Sequence, residues 1–425
     1  MADRIGTNCT HRLDFGLLEG KDRMPKRDTA DLVVVGAGTI GGWASVFAKE
    51  LGAERVVVLE RGEAGQGASS RAAGIVRAQG GTPETVALGM WSIDFYRSMQ
   101  ERYGTDSGFR ELGYLILATD ASQEHDAVAR VEMQHAAGLA NVRYVDAAGA
   151  ARLNPTLDPA EFRGATYAPG DGCVDPPRNV RAYSLAMQEA GVELLERTPF
   201  LGVRSRNDGT VIGVETPDGT IATERLLLTG GPTLRAVGKL VGARFFVGAV
   251  RHQVVVTEPH EAFDVERQPM VFENAIGLYW RLEEGGLLFG MSNPDEAPGP
   301  AHEVDWPYLH EMEERMRRYV PIAKDLGIRK AWAATIEYCP DHLPVVGPVF
   351  TREGAMLPGV TVATAVGHGM MWGPGVAKIG ADLALTGTTG VTDVSGWGMD
   401  RFDEEGRSSS YDPIALPFPV SADAD

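Results

Sequence analysis

Residues Asp31–Glu60, DLVVVGAGTIGGWASVFAKELGAERVVVLE, read as a complete strand–turn–helix–strand unit. A β-branched run leads into Gly36-Ala-Gly38-Thr39-Ile40-Gly41, a helix follows, and a second apolar strand ends on Glu60. That order is the fingerprint of a dinucleotide site. Gly36 permits the tight turn, Gly38 lets the backbone approach a pyrophosphate, and Gly41 lets the helix pack close to the strand. The pyrophosphate then meets the positive end of the helix dipole. Glu60 lies 24 positions after Gly36, near the spacing of an acid that accepts from ribose hydroxyls. A carboxylate there repels a 2′-phosphate and disfavours NADP. Arg61 follows it directly.

The 425-residue chain is long enough for two domains, and its composition is that of a globular protein. The net charge of −18 argues against nucleic acid or an anionic membrane as partner. No apolar run is long enough to span a bilayer, and the N-terminus lacks a signal-peptide stretch, so a cytoplasmic protein is expected. Cys9, Cys173 and Cys339 show no metal or disulfide spacing, and neither do the histidines, so no metal site is predicted.

Residues 1–27 read as a polar extension. Helices are expected over Pro83–Tyr103, Gln123–Ala137, Pro176–Gly191, Val304–Tyr319 and Pro374–Thr386. Strands are expected at Leu112–Thr119, Arg251–Thr257, Gly277–Leu282, Leu287–Met291 and Val360–Ala365. Val211–Glu215 and Ile221–Leu228 read as a hairpin around Pro217-Asp218-Gly219. The β-rich middle does not fit a simple doubly wound sheet. The predicted class is α/β (α+β overall): a Rossmann-like nucleotide domain with an inserted, mostly antiparallel β-sheet substrate domain. The expected pieces are 28–110, 164–244 and 331–400 for the first domain, and 111–163 and 245–330 for the second. Residues 401–425 read as a polar, mobile tail.

Further glycine clusters follow: Gly65–Gly74, LLLTGG at 226–231, and Gly367–Gly375. Several separate points of close approach suit an elongated cofactor, FAD better than NAD. With GASSRAAGIVR (67–77), GCVDPPRNVRAYSLAMQEAGVEL (172–194), RHQVVVTEP (251–259), YCPDHLPVVGP (338–348) and VGHGMMWGPGVAKIGADL (366–383), the chain resembles the FAD-dependent D-amino-acid oxidase-like family, in its sarcosine, dimethylglycine and glycine oxidase branch. The resemblance covers Ala30–Leu385.

It implies that Ser69, Ser70, Arg71 and Ala72 contact the cofactor's phosphates and ring. Gly230 and Gly231 would approach it, and Gly367, His368, Gly369, Met370 and Met371 would line the pyrimidine edge of the flavin. Relatives that bind FAD covalently use a cysteine where this chain has Ala333, or a histidine in the loop matching Ser69–Ala73. Non-covalent FAD is therefore expected. The implied reaction is oxidation of an amine C–N bond by hydride transfer to flavin N5, giving an imine, with oxygen or another acceptor reoxidising the flavin. The substrate is a small amine, best matched by a secondary or N-methylated amino acid. D-amino acids, 2-hydroxy acids, or a flavoprotein subunit passing electrons to a partner are the alternatives.

Arg77 matches the family's carboxylate-binding arginine, and a guanidinium suits bidentate carboxylate recognition. Arg281 is the second candidate. Among the motif histidines His368 ranks first for function, then His342, then His252. Two departures stand out: the family's second carboxylate-binding lysine falls at Met371, and its oxygen-activating lysine falls near Leu288. Met370, Met371 and Trp372 suggest an apolar pocket. The sequence leaves the oligomeric state open.

Overall fold

In a computed structural model, residues 29–414 are described. The expected extension 1–27 lies outside them. The strand Leu32–Val35 sits in a six-stranded sheet between Val56–Leu59 and Leu226–Leu228, parallel to both. Leu226–Leu228 pairs in parallel with Met356–Thr364, and Val56–Leu59 with Glu193–Leu195. The valine-rich runs are buried on both faces, as a covered parallel sheet requires. Leu32, Val34, Val56 and Val58 face the helices Thr39–Glu50 and Gly373–Thr386. Val33, Val35, Val57 and Leu59 pack on the other side with Phe200, Val211 and Val214. The register aligns Val35 with Leu59 and Leu228, and Leu228 with Val362, so these strands end together at one edge.

The second large sheet has eight strands, mostly antiparallel. One face packs on the amphipathic helix Trp306–Tyr319, through Tyr308, Leu309, Met312 and Met316. The other carries Tyr114, Ile116, Val254, Phe272, Tyr279 and Leu288, and turns toward the nucleotide unit.

Local signals set the long helices. Pro83–Tyr103 begins at a Thr82–Thr85 capping box and ends at Gly104 with φ +64°. Pro176–Glu189 begins with Asp175 accepting from the Arg178 N–H.

Four expectations change. The second half of the expected hairpin splits: Gly219–Ala222 pairs with Val211–Thr216, while Leu226–Leu228 enters the six-stranded sheet. Thr223 breaks the run, its hydroxyl donating to the Arg225 carbonyl at 3.0 Å. Gly164–Ala168 and Ile328–Tyr338 both belong to the eight-stranded sheet, across the boundaries expected at 164 and 331. Their partners decide this: Tyr114–Ala118 for the first and Gly248–Thr257 for the second. Residues 401–414 are packed, not a free tail. Arg401 forms a buried ion pair with Asp341 at 2.6 Å and also donates to the Leu343, Pro344 and Trp397 carbonyls. Further along, Phe402, Asp412 and Ile414 are buried.

Candidate active site

A cavity of about 650 Å³ opens at the common strand edge and runs to the inner face of the eight-stranded sheet. Its first end is the glycine turn. Gly36 has φ +103°, and a Cβ there would stand 2.8 Å from the Thr229 carbonyl oxygen. Only glycine fits that conformation and that approach. At the helix start the Thr39 N–H donates to Ser69 Oγ at 3.0 Å, which sets a hydroxyl at the positive end of the dipole. Glu60 lines the cavity with its carboxylate accepting from the N–H groups of Ala37 (2.9 Å) and Gly62 (2.8 Å).

The expected cofactor residues Gly36, Gly38, Thr39, Ile40, Glu60, Arg61, Ser69, Arg71, Ala72, Gly230, Gly231, Gly367, His368, Gly369 and Met370 all line this one cavity. Gly41 and Ser70 do not. A Cβ on Gly41 would lie 1.9 Å from the Gly36 carbonyl oxygen, so its place is in packing. Ser70 N–H donates to the Gly65 carbonyl at 3.2 Å and serves the loop's turn.

A buried residue absent from the sequence reading ties the two ends. Asn179 Nδ2 donates to Thr39 Oγ1 at 3.2 Å and reaches Met370 Sδ at 3.7 Å, while its Oδ1 accepts from Trp43 Nε1. Tyr96 Oη donates to the Met370 carbonyl at 2.7 Å. Together they fix the 367–371 loop against the first helix.

The far end is walled by Tyr114, Phe272, Tyr279, His252, Met371 and Ile414, with Arg77 and His368 between. Most of these come from alternate positions on paired strands, which the sequence does not bring together. His252 Nε2 is hydrogen-bonded to Tyr279 Oη at 2.5 Å and Nδ1 to Ser292 Oγ at 2.8 Å. Burial lowers His252 to about 4 and raises the Tyr279 phenol, so both are neutral near pH 7. His368 is lowered to about 3 by burial and by nearby Arg77 and His342, and it packs on Trp372 at 4.3 Å between ring centroids. Glu337 also lines the cavity, accepts from Thr364 Oγ1 at 3.0 Å, and is raised by burial.

Arg77 is buried, with 3 % of its surface exposed, and lines the cavity. Its Nη1 donates to the Gln79 carbonyl and its Nη2 to the Ile414 carbonyl at 3.1 Å. Among the described residues it makes no ion pair. Two carboxyl groups lie in its field. Burial raises Asp171 to about 6, even though it accepts from the Ala78 N–H and Gln79 Nε2, and burial raises Asp412 as well.

Several candidates fall elsewhere. Arg281 does not line the cavity. It is buried, its Nε donating to the Ala73 carbonyl at 2.7 Å and its Nη1 reaching Leu282 O and Glu283, so it braces the 67–77 loop. His342 also stands outside the lining, edge-on to Tyr411 at 5.3 Å. That reverses the expected order: His252 faces the cavity and His342 does not. Trp372 packs behind His368, and Leu288 belongs to the apolar cluster of Tyr114 and Tyr279. Cys339 is held between Asp341 and the Leu343 carbonyl, off the cavity. Among the described residues no cluster of three or more His, Cys, Asp or Glu could hold a metal, and no helix is long and apolar enough to cross a membrane.

The Cβ-free cradle at Gly36, the helix start whose N-cap Gly38 has no side chain to cover it, and the cavity's length fit an FAD threaded from the glycine turn to the 367–371 loop. Relatives agree in kind. Dimethylglycine dehydrogenase, mitochondrial, of Rattus norvegicus is 29% identical over 395 residues, 88% of this chain and 45% of its own length. The chain thus spans under half the length of the first curated relatives it matches. Glycine oxidase of Geobacillus kaustophilus is 29% identical over 83% of this chain and 92% of its own. The crystal structure of L-proline dehydrogenase from P. horikoshii superposes with a TM-score of 0.80 at 25% identity, covering 88% of this chain and 97% of that one. The family model described as DAO, FAD dependent oxidoreductase, matches residues 31–383, and the chain belongs to that family.

Proposed function

We propose that the protein oxidises a small secondary or N-methylated amino acid at the carbon beside its nitrogen, with non-covalently bound FAD. The observation that carries this reading is Arg77: a buried guanidinium on the cavity wall, bound to carbonyls and lacking an ion pair among the described residues. A buried guanidinium whose hydrogen bonds go to carbonyls, with no carboxylate in direct contact, can take a substrate carboxylate as its charged partner. The named relatives act on dimethylglycine, glycine and L-proline, each a carboxylate one carbon from a nitrogen, which supports the same class here.

Ser69 and the N-terminus of Thr39–Glu50 would hold the pyrophosphate, Glu60 the ribose, and Gly367–Met371 the flavin edge. Ala333 and the SSRAA loop provide no thiol or imidazole for a covalent link, and Cys339 is held off the cavity. When bound, FAD supplies the acceptor for the hydride, and the substrate leaves as an imine for water to hydrolyse. Arg77 orients the carboxylate. Tyr279, hydrogen-bonded to His252, which Ser292 in turn holds, offers a neutral hydroxyl to the amine. A wall of neutral groups in a low-dielectric site favours the free-base amine over the ammonium ion, which hydride loss requires.

The test is an anaerobic titration of the FAD-loaded protein with N-methyl amino acids, D-amino acids, 2-hydroxy acids and plain amines. Bleaching by N-methyl amino acids is expected. In Arg77→Ala the loss of a buried charge-assisted contact, about 2–5 kcal/mol, should raise KM roughly 30-fold or more. An unchanged KM refutes the assignment. Bleaching by 2-hydroxy acids alone refutes the amine.

A further inference from the structure

Among the described residues after Met399–Arg401 there is no regular secondary structure, yet the last of them, Ile414, reaches the substrate end of the cavity. Ile414 is 1 % exposed, packs in the cluster of Tyr114 and Tyr279, and lines the cavity. Its carbonyl accepts from Arg77 Nη2 at 3.1 Å. Pro413 faces the other way, onto a second cavity of about 380 Å³ that Arg130 also lines. Between them Asp412 is buried in the field of Arg77 and Arg130, with the Gly81 N–H directed at its carboxyl group. The segment is therefore a partition one residue thick between two cavities.

Its fastenings are few. Asp412 N–H donates to the Asp341 carbonyl at 3.0 Å, Ile414 N–H to Asp412 Oδ1 at 2.8 Å, and Asn274 Nδ2 to the Pro413 carbonyl at 3.1 Å. A segment so held, outside any sheet or helix, opens at lower free energy than the core. Resting on Arg77 as the carboxylate ligand, we infer that Ile414, held in place by the segment before it, is a specificity-determining wall residue of the substrate pocket. Ile414 limits the size of the substrate, and its carbonyl holds the guanidinium edge that an arriving carboxylate takes over.

The probes are acetate and cyclohexanecarboxylate, bound to the FAD-loaded full-length protein. Binding is read from the flavin absorbance, and the segment from hydrogen exchange at the Asp412 and Ile414 amides. Acetate should bind at least tenfold more weakly to Arg77→Gln, and in the unmodified protein it should speed exchange at both amides at least tenfold. Ile414→Ala should tighten cyclohexanecarboxylate at least fivefold while changing acetate less than twofold. Arg77-dependent acetate binding with unchanged exchange overturns the displaced carbonyl and leaves Arg77 as the ligand. Acetate binding that ignores Arg77 overturns both. A cyclohexanecarboxylate affinity unmoved by Ile414→Ala overturns the size limit.

Discussion

Arg77 and Arg281 are alike on paper, and their surroundings predict opposite behaviour on substitution. Arg281→Met keeps the side chain's bulk and removes its donors. The Ala73 carbonyl, which accepts from Nε at 2.7 Å, is then left in a buried loop without its charged partner. A hydrogen bond to a charged group contributes about 1.5–3 kcal/mol, and a stranded buried acceptor costs about 1–3 kcal/mol. The Glu283 ion pair adds little, since that carboxylate's side chain is 35% exposed. A total near 3 kcal/mol is expected. With about 2.1 cal/mol/K of unfolding entropy per residue, 425 residues give about 0.9 kcal/mol per kelvin, so Tm should fall about 3 °C. KM for the amino-acid substrate should change less than about threefold, because nothing of Arg281 reaches the cavity. Differential scanning fluorimetry and anaerobic flavin reduction measure the two quantities on one preparation. An unchanged Tm with KM raised tenfold would mean that Arg281, not Arg77, meets the carboxylate.

Gly41→Ala should cost about 3 kcal/mol or more and release FAD, because its Cβ would sit 1.9 Å from Gly36 O and 2.6 Å from Thr229 Oγ1. Purified variant with full flavin content and unchanged Tm would show that the turn yields freely. Acid should unfold the protein through its buried histidines. Unfolded histidines take protons near pH 6.5, but His252 and His342 do so only near 4 in the fold and His368 near 3, in each case chiefly through burial. The unfolded state therefore binds more protons below pH 6.5, and stability falls as pH falls, by up to about 3 kcal/mol each for His252 and His342 and about 5 kcal/mol for His368. Asp171, raised to about 6, acts in the opposite sense between about pH 4 and 6 and offsets only part of this loss. Urea midpoints at pH 7, 6 and 5 should decline, and a flat series would mean that the imidazoles protonate in place.

What the sequence made legible was whatever one segment settles by itself. Pro83–Tyr103 is a helix with the bounds its cap and glycine suggest, and the Asp31–Glu60 unit has the expected strand, turn and helix. The glycine clusters at 36–41, 65–74, 230–231 and 367–369 all contribute to the lining of one cavity, and at Gly36 and Gly74 a neighbouring backbone oxygen leaves no room for a Cβ. Side-chain direction was less legible. Tyr279 and Arg281 share a face of one strand by period two, yet only Tyr279 reaches the cavity, since Arg281 is drawn to the Ala73 carbonyl. His252 was underrated for a similar reason. Its partners Tyr279 and Ser292 lie 27 and 40 residues away and meet it only through strand pairing. The sheet allegiance of Gly164–Ala168, likewise, depends on Tyr114–Ala118 and not on its own pattern.

The same separation distinguishes the two ends of the cavity. At the glycine turn the cavity is lined by backbone and one carboxylate, carried by a continuous stretch of 30 residues, 31–60. At the far end the wall is assembled from side chains on strands around Tyr114, His252, Phe272 and Tyr279, together with Arg77 and the segment ending at Ile414. Burial drives Tyr114, His252, Tyr279, Asp171 and Glu337 toward their neutral forms. On the proposal that Arg77 binds the substrate carboxylate, a guanidinium amid Tyr114, His252 and Tyr279, all held neutral by burial, selects for an anion. Under that proposal, exchanging a wall residue would change the substrate's shape, whereas exchanging Arg77 would change the class of molecule that can bind.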